Sequence, residues 1–193
     1  INVELLESIY LVSSMLTDTH TMFNKNKQPR MLNRTYLRLI ETFDKQTFSG
    51  PPEGIKDTVM CAAKHLIEGD WQTASNYVTE MPCWPLLPGS EETRKFVLDL
   101  VVVELKREAL RTYVFQRASH YESISIDTLS SMFNMSTESV QASINTLLSA
   151  GLAGSCDAPT SSFAVHAIGP TDLQIAVTAY AESLTVLLDA NER

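Results

Sequence analysis

Two spacings in this sequence could carry chemistry. Cys61 and His65 lie four residues apart. On one helix face that spacing could offer two ligands to a metal ion. No second ligand pair stands in the sequence to complete a site, so the preferred reading is a buried thiol beside a boundary histidine. Arg30, Arg34 and Arg38 recur every four residues, with Lys25 and Lys27 nearby. As one helical stripe they could touch RNA phosphates. A solvated helix face is the plainer account of such a row, and it is preferred.

Other catalytic signatures do not occur. There is no glycine-rich phosphate loop, no GxSxG elbow and no HExxH pair. The four histidines, His20, His65, His120 and His166, are scattered. No carboxylate pair is singled out by its spacing. The expectation is a protein that is not an enzyme and holds no cofactor or metal. Cys61, Cys83 and Cys156 are odd in number and far apart, with no CxxC pair, which suits a reducing compartment. No apolar run is long enough to span a bilayer, and no secretory signal opens the chain. The first residue is Ile1, already inside an amphipathic pattern. A piece of a longer chain, lacking its upstream part, is expected.

Charge divides the molecule. Between Ala118 and Glu192 there is no lysine or arginine, while eight acids occur there: Glu122, Asp127, Glu138, Asp157, Asp172, Glu182, Asp189 and Glu192. The net charge of −8 therefore resides in the C-terminal part, and the rest is neutral.

The elements that must position these residues read as follows. Residues 2 to 17 form a helix apolar on most sides (Val3, Leu6, Ile9, Tyr10, Met15, Leu16), which needs cover from neighbours; ordinary core is the preferred destination of that face. A second helix runs from about Pro29 to Phe43, with Leu32, Tyr36, Leu39, Ile40 and Phe43 inward. Gly50-Pro51-Pro52 starts a third, with proline in its first turn and a buried stripe of Ile55, Val59, Ala62, Ala63 and Leu66. Gly69 ends it in the left-handed region. Asp70 caps the next helix, with Trp71 packed behind, giving an antiparallel pair like those of helical-repeat arrays. After the loop marked by Pro82, Pro85 and Pro88, one long helix covers 91 to about 118, with Phe96, Leu100, Val103, Leu110 and Val114 inward.

Ile124-Ser125-Ile126 starts a short strand. Ser125 is expected to cap a helix from Ile126 to Phe133, and Ser136 another from Thr137 to Ala150. Gly151 stops the second. Leu152-Ala153 and Phe163 to His166 bracket a turn as in a hairpin. This order is that of a winged helix. Thr171 and Gln174 form a capping box for a last helix, whose Leu173, Val177, Tyr180, Leu184 and Leu187 step by four and three, a seam for another helix. A winged helix first suggests nucleic acid. Here the second helix and the wing carry acids and no base, so phosphate would be repelled. Nucleic acid is unlikely through this element, and protein docking is expected instead. The predicted interface comprises the hairpin edge Phe163, Val165 and Ile168, which could extend a neighbour's sheet, and the seam Leu173, Val177, Tyr180 and Leu184. Folding back of the last helix onto the module fits the seam equally well.

Several stretches resemble one known family. They are Asn2 to Glu7, Gly50 to Glu53, Ala62 to Lys64, Gly69-Asp70-Trp71, Trp84 to Pro88, Glu108 to Phe115 and, most specifically, Tyr121 to Phe133. Together they resemble the C-subunit family of eukaryotic translation initiation factor 3. Residues 19 to 35 match that family poorly, and the wing Ser155 to Ser162 is not diagnostic of it. The resemblance implies a PCI domain. The fold would be mostly α: a right-handed helical-repeat (PCI-type) array over 1–118, a winged-helix module over 119–170 and a C-terminal bundle helix over 171–193. It also implies a cytoplasmic, non-catalytic scaffold of the initiation factor, with other PCI subunits of the same factor and, through the complex, the small ribosomal subunit as partners. The alternatives are direct RNA binding through Arg30, Arg34 and Arg38, or a scaffold subunit of another PCI assembly such as the proteasome lid.

Overall fold

The computed structural model describes residues 2–23, 33–45, 50–52, 54–117, 120–157, 161–166 and 172–191. Those residues are mostly helical, with one small sheet. Five helices come first: α1 (Val3–Met22), α2 (Arg34–Asp44), α3 (Ile55–Glu68), α4 (Trp71–Thr79) and α5 (Glu91–Arg117). A 3-10 turn, Trp84–Leu86, lies between α4 and α5. Then follow β1 (Ser123–Ser125), α6 (Ile126–Phe133), α7 (Thr137–Ser149), β2 (Gly154–Asp157), β3 (Ser162–Val165) and α8 (Asp172–Asn191).

Caps explain most of these boundaries. The Asn2 side chain accepts from the Glu4 amide at 3.0 Å and opens α1. Gly69 closes α3 at φ +93°, where an L side chain is strained. Asp70 then accepts from the Thr73 amide at 3.1 Å and from its hydroxyl at 2.5 Å. These bonds hold the Asp70 carboxyl below its ordinary value, the hydroxyl bond first and the amide second. Ser136 caps α7 by accepting from the Ser139 amide at 3.3 Å.

Three expected caps or starts differ. α2 starts at Arg34 rather than near Pro29, because Asn33 is extended and its side chain accepts from the Thr35 amide. Residues 29 to 32, with Arg30 and Leu32, lie outside the described residues, as does Thr171 of the expected capping box. α3 starts at Ile55 behind Gly54, so Pro52 is not in its first turn. Ser125 precedes α6 but makes no side-chain cap. Its place is taken by pairing, since the Ile126 amide donates to the Ser161 carbonyl at 2.9 Å.

The core is one continuous cluster. Leu11 and Met15 of α1, Tyr36 of α2, Val59, Ala62, Ala63 and Leu66 of α3, and Ala74 and Val78 of α4 meet Leu105, Leu110 and Val114 of α5. The small residues on α3 and α4 let those helices approach closely. The cluster continues through Leu129 and Phe133 of α6, and Val140, Ile144 and Leu147 of α7, to Ile124 and Phe163 of the sheet. Tyr113 of α5 meets the Phe133 ring edge-on at 5.7 Å.

The sheet has the order β1-β3-β2, with both pairs antiparallel. Ile124 and Cys156 lie opposite Phe163 from either side. Gly154 sits so close to that ring that an added Cβ would lie 2.5 Å from it and 2.7 Å from the Ala164 carbonyl. β2 occupies residues expected to be turn, and the expected strand residues Leu152 and Ala153 precede it. Gly, Ser, Cys and Asp have little strand preference of their own as a run. β2 exists because β3 supplies its hydrogen bonds.

Candidate docking surfaces

α8 is the most exposed apolar element. Every described side chain on it is exposed. The expected seam stands out along it, with Leu173 75% and Tyr180 76% exposed and Val177 and Leu184 also open. Ile175 and Leu188 widen the apolar surface. The helix hydroxyls turn inward to their own backbone: Thr178 donates to the Gln174 carbonyl, Ser183 to Ala179 and Thr185 to Ala181. Those polar groups are thus satisfied locally, and what remains outward is largely hydrocarbon. Packing of these side chains onto the module is not observed.

Two further apolar faces are open. On α5, Phe96, Leu100 and Val103 were expected inward, but Phe96 is 62% exposed and the others are exposed too. The fully buried residues of α5 begin at Leu105, while Leu98 and Val101 in its first half are partly buried against the core. The apolar residues extend round more of the helix than its neighbours cover, which leaves Phe96, Leu100 and Val103 in solvent. On α1, Val3, Leu6, Ile9 and Tyr10 are exposed, while Leu11, Val12 and Met15 are buried. The expectation that the first set is ordinary core is corrected: α1 turns a different face to α3 and α5.

The hairpin edge is also corrected. β3 is the central strand, so its backbone is engaged on both sides. Phe163 is fully buried, and the Val165 amide donates to the Glu122 carbonyl at 2.9 Å. Phe163 and Val165 therefore have no free edge to extend a neighbouring sheet. Ile168 lies outside the described residues. The outer strands of the sheet are β1 and β2.

Arg34 and Arg38 are exposed on α2. Neither has an acidic partner among the described residues. Extended Asn33 precedes the helix that carries both arginines, and Arg30 of the expected stripe lies outside the described residues. Glu41 and Asp44 share α2 and equal the arginines in number.

Cys61 is half-buried, and burial, assisted by the Asp57 charge, raises its thiol above the ordinary range. His65 stacks on Tyr77 at 5.7 Å and stands 3.7 Å from Glu68. Among the described residues, no three His, Cys, Asp or Glu side chains gather in a metal-binding group.

A buried polar cluster was not anticipated. The His20 amide and ring Nδ1 each lie 2.7 Å from Glu108 Oε1. Arg111 is 3.8 Å from the other carboxylate oxygen. Beside them the Thr19 and Tyr36 hydroxyls share a hydrogen bond of 2.9 Å. Burial raises the Tyr36 phenol above its ordinary range; the Thr19 bond opposes the shift, and the Glu108 and Asp18 charges add to it. Glu108 is only 1% exposed, so the cluster ties α1, α2 and α5 together rather than meeting a substrate. Its two halves are 88 residues apart, and no local pattern joins them.

No model of a known protein family matches the chain. Curated proteins do. The chain is 33% identical over its whole length to the C subunit of eukaryotic translation initiation factor 3 from Chaetomium globosum, covering 23% of that protein. Identity is also 33% to the protein of the same name from Mycosarcoma maydis and 34% to that from Culex quinquefasciatus, each again over the whole chain and 22% of the relative. The chain thus spans less than a quarter of the length of these relatives. The stretches that carry the resemblance run from α1 to α6, and the alignment extends over the remainder. From its first residue to its last, the chain is homologous to a part of the C subunit of eukaryotic translation initiation factor 3.

Proposed function

We propose that this chain is a non-catalytic scaffold region of translation initiation factor 3, acting in the cytoplasm, whose α8 docks on helices of other PCI subunits of the same factor. The observation that carries this reading is the seam Leu173, Val177, Tyr180 and Leu184, each of which is open to solvent on α8. Exposed apolar residues at alternating steps of four and three form a surface that a second helix can cover. Homology to the initiation-factor protein supports the choice of assembly.

The same proposal reads α1 to α5 as a PCI-type helical array over 1–118, the β1-α6-α7-β2-β3 unit as a winged helix over 119–170, and α8 as a bundle helix over 171–193. The order β1-β3-β2, with two helices between the first two strands in sequence, supports the winged-helix reading. α7 contains Glu138 and no lysine or arginine. A phosphate backbone approaching that helix would gain no counterion release, which favours a protein over a nucleic acid as the module's partner. Attachment to the small ribosomal subunit would then come through the assembled factor.

The test is co-expression with another PCI protein of the factor, followed by size-exclusion chromatography with light scattering. The expected result is a heteromeric complex that persists at high salt, because apolar contacts are little screened. Replacing Leu173, Val177, Tyr180 and Leu184 together by Ser should abolish it and leave the chain folded. A complex of unchanged stability in that variant would refute the α8 reading.

A second reading has one favourable observation. Arg34 and Arg38 are exposed and unpaired among the described residues, as RNA-contacting arginines would be. The acids on the same helix weigh against it. Loss of salt-dependent ribosome binding on replacing both arginines by Ala would move weight to this reading.

A further inference from the structure

The C-terminus of α6 is finished by side chains from elsewhere in the molecule. A helix leaves its last carbonyls without partners, and they are normally met by water or by local turns. In α6 the Met132 carbonyl instead accepts from the Trp71 indole N–H at 2.9 Å. Trp71 opens α4, 61 residues earlier. The Asn134 carbonyl, just past the helix, lies 3.4 Å from the Lys106 ammonium of α5. Asn134 is itself left-handed at φ 48°, a conformation that ends the helix. The Lys106 ammonium also lies 4.5 Å from the centre of the Trp71 ring, within cation–π range. A positive charge at this end of α6 complements the helix dipole.

These contacts form one unit of three parts: an indole, a cation over its face, and two carbonyls at one helix end. Ser130 completes the turn from within, donating to the Met135 carbonyl at 2.6 Å while its own carbonyl accepts from the Met135 amide at 3.1 Å. The turn between α6 and α7 is therefore held at its start by the helical array and closed by its own residues.

We infer that Trp71 and Lys106 form a clasp that caps α6 in trans and fixes the orientation of the C-terminal module on the helical array. The clasp is a conformational device, because its two donors belong to α4 and α5 while its two acceptors belong to the module. The edge-on contact of Tyr113 with Phe133 and the continuous core hold the two parts together. The two hydrogen bonds to named carbonyls add a directional constraint at the end of α6. The inference is independent of which partner α8 engages.

Hydrogen–deuterium exchange of the 193-residue chain, resolved to the amides of Met132 to Ser136, tests it. Trp71→Phe keeps the ring and removes the donor. Lys106→Met keeps most of the aliphatic stem and removes the charge. Each is expected to speed exchange in that segment by roughly three- to tenfold, the equivalent of one lost hydrogen bond. The double variant should change it by less than the product of the two, because the side chains contact each other. Lys106→Arg should restore slow exchange, and Lys95→Met, on the same helix, should change nothing. If Trp71→Phe does not fold, the Lys106→Met and Lys106→Arg pair decides alone. Unchanged exchange in the segment overturns the inference. A uniform rise across the whole chain overturns it as well, because the two side chains would then serve general stability, and a full product of the single effects removes the joint clasp.

Discussion

α3 and α8 are both helices with apolar residues at helical spacing, and they end in opposite environments. α3 buries Val59, Met60, Ala62, Ala63 and Leu66. α8 buries none of its described side chains. The difference is in the neighbours. α3 lies among α1, α4 and α5, whose small residues and open faces fit around it. α8 follows the sheet and carries its apolar residues on a chain segment with acids and no bases. Periodicity thus records a demand for burial, and the surrounding chain decides whether the demand is met within the molecule.

Substitutions can sharpen or break this contrast. Leu66→Ala in α3 should destabilise the chain by about 2–5 kcal/mol, as a fully buried leucine leaves a cavity. Leu184→Ala in α8 should change stability by less than about 0.5 kcal/mol. Urea denaturation of both measures the ratio, and equal losses would mean that α8 is packed in solution. Gly154→Ala should cost about 1–3 kcal/mol, because the new methyl meets the Phe163 ring and the Ala164 carbonyl. That result would show the sheet sharing the tightness of the α3 core, and a neutral result would put it with α8.

A further effect, smaller than those at Leu66 and Gly154, is expected at Asp70. Asp70→Ala should remove a cap worth about 1 kcal/mol at neutral pH. The folded carboxyl titrates below its ordinary value of 3.8, so its stabilisation is present above that pH and fades as pH falls through the lower, folded value. The difference between wild type and variant should therefore narrow on acidification below about pH 4. A constant difference across that range would assign the cost to the helix end itself and not to the charge.

Much of this architecture was legible where caps and periodicity are local. Gly69 and Asp70 mark the α3–α4 turn, Ser136 starts α7, and α6 spans the expected residues. The seam on α8 was legible as a pattern, though its exposure was not. What failed depended on tertiary neighbours. β2 is formed by pairing rather than by propensity, and the central place of β3 cannot be read from the order of strands along the chain. Phe96, Leu100 and Val103 repeat like core residues but are exposed, while Leu98 and Val101 between them meet the core. His20 with Glu108, and Trp71 with Met132, are brought together only by the fold.

The central position of β3 also sets an order in time. Among the described residues, β1 and β2 each pair with β3 and with no other strand. A nascent chain therefore carries Ser123 to Ser125 without a ladder until Ser162 to Val165 has been synthesised and released from the exit tunnel. Helices α1 to α5 end at Arg117, so their partners are all synthesised before the sheet's last strand, and they can settle earlier. The ladder can be completed only after its last strand has come to lie between the two that preceded it.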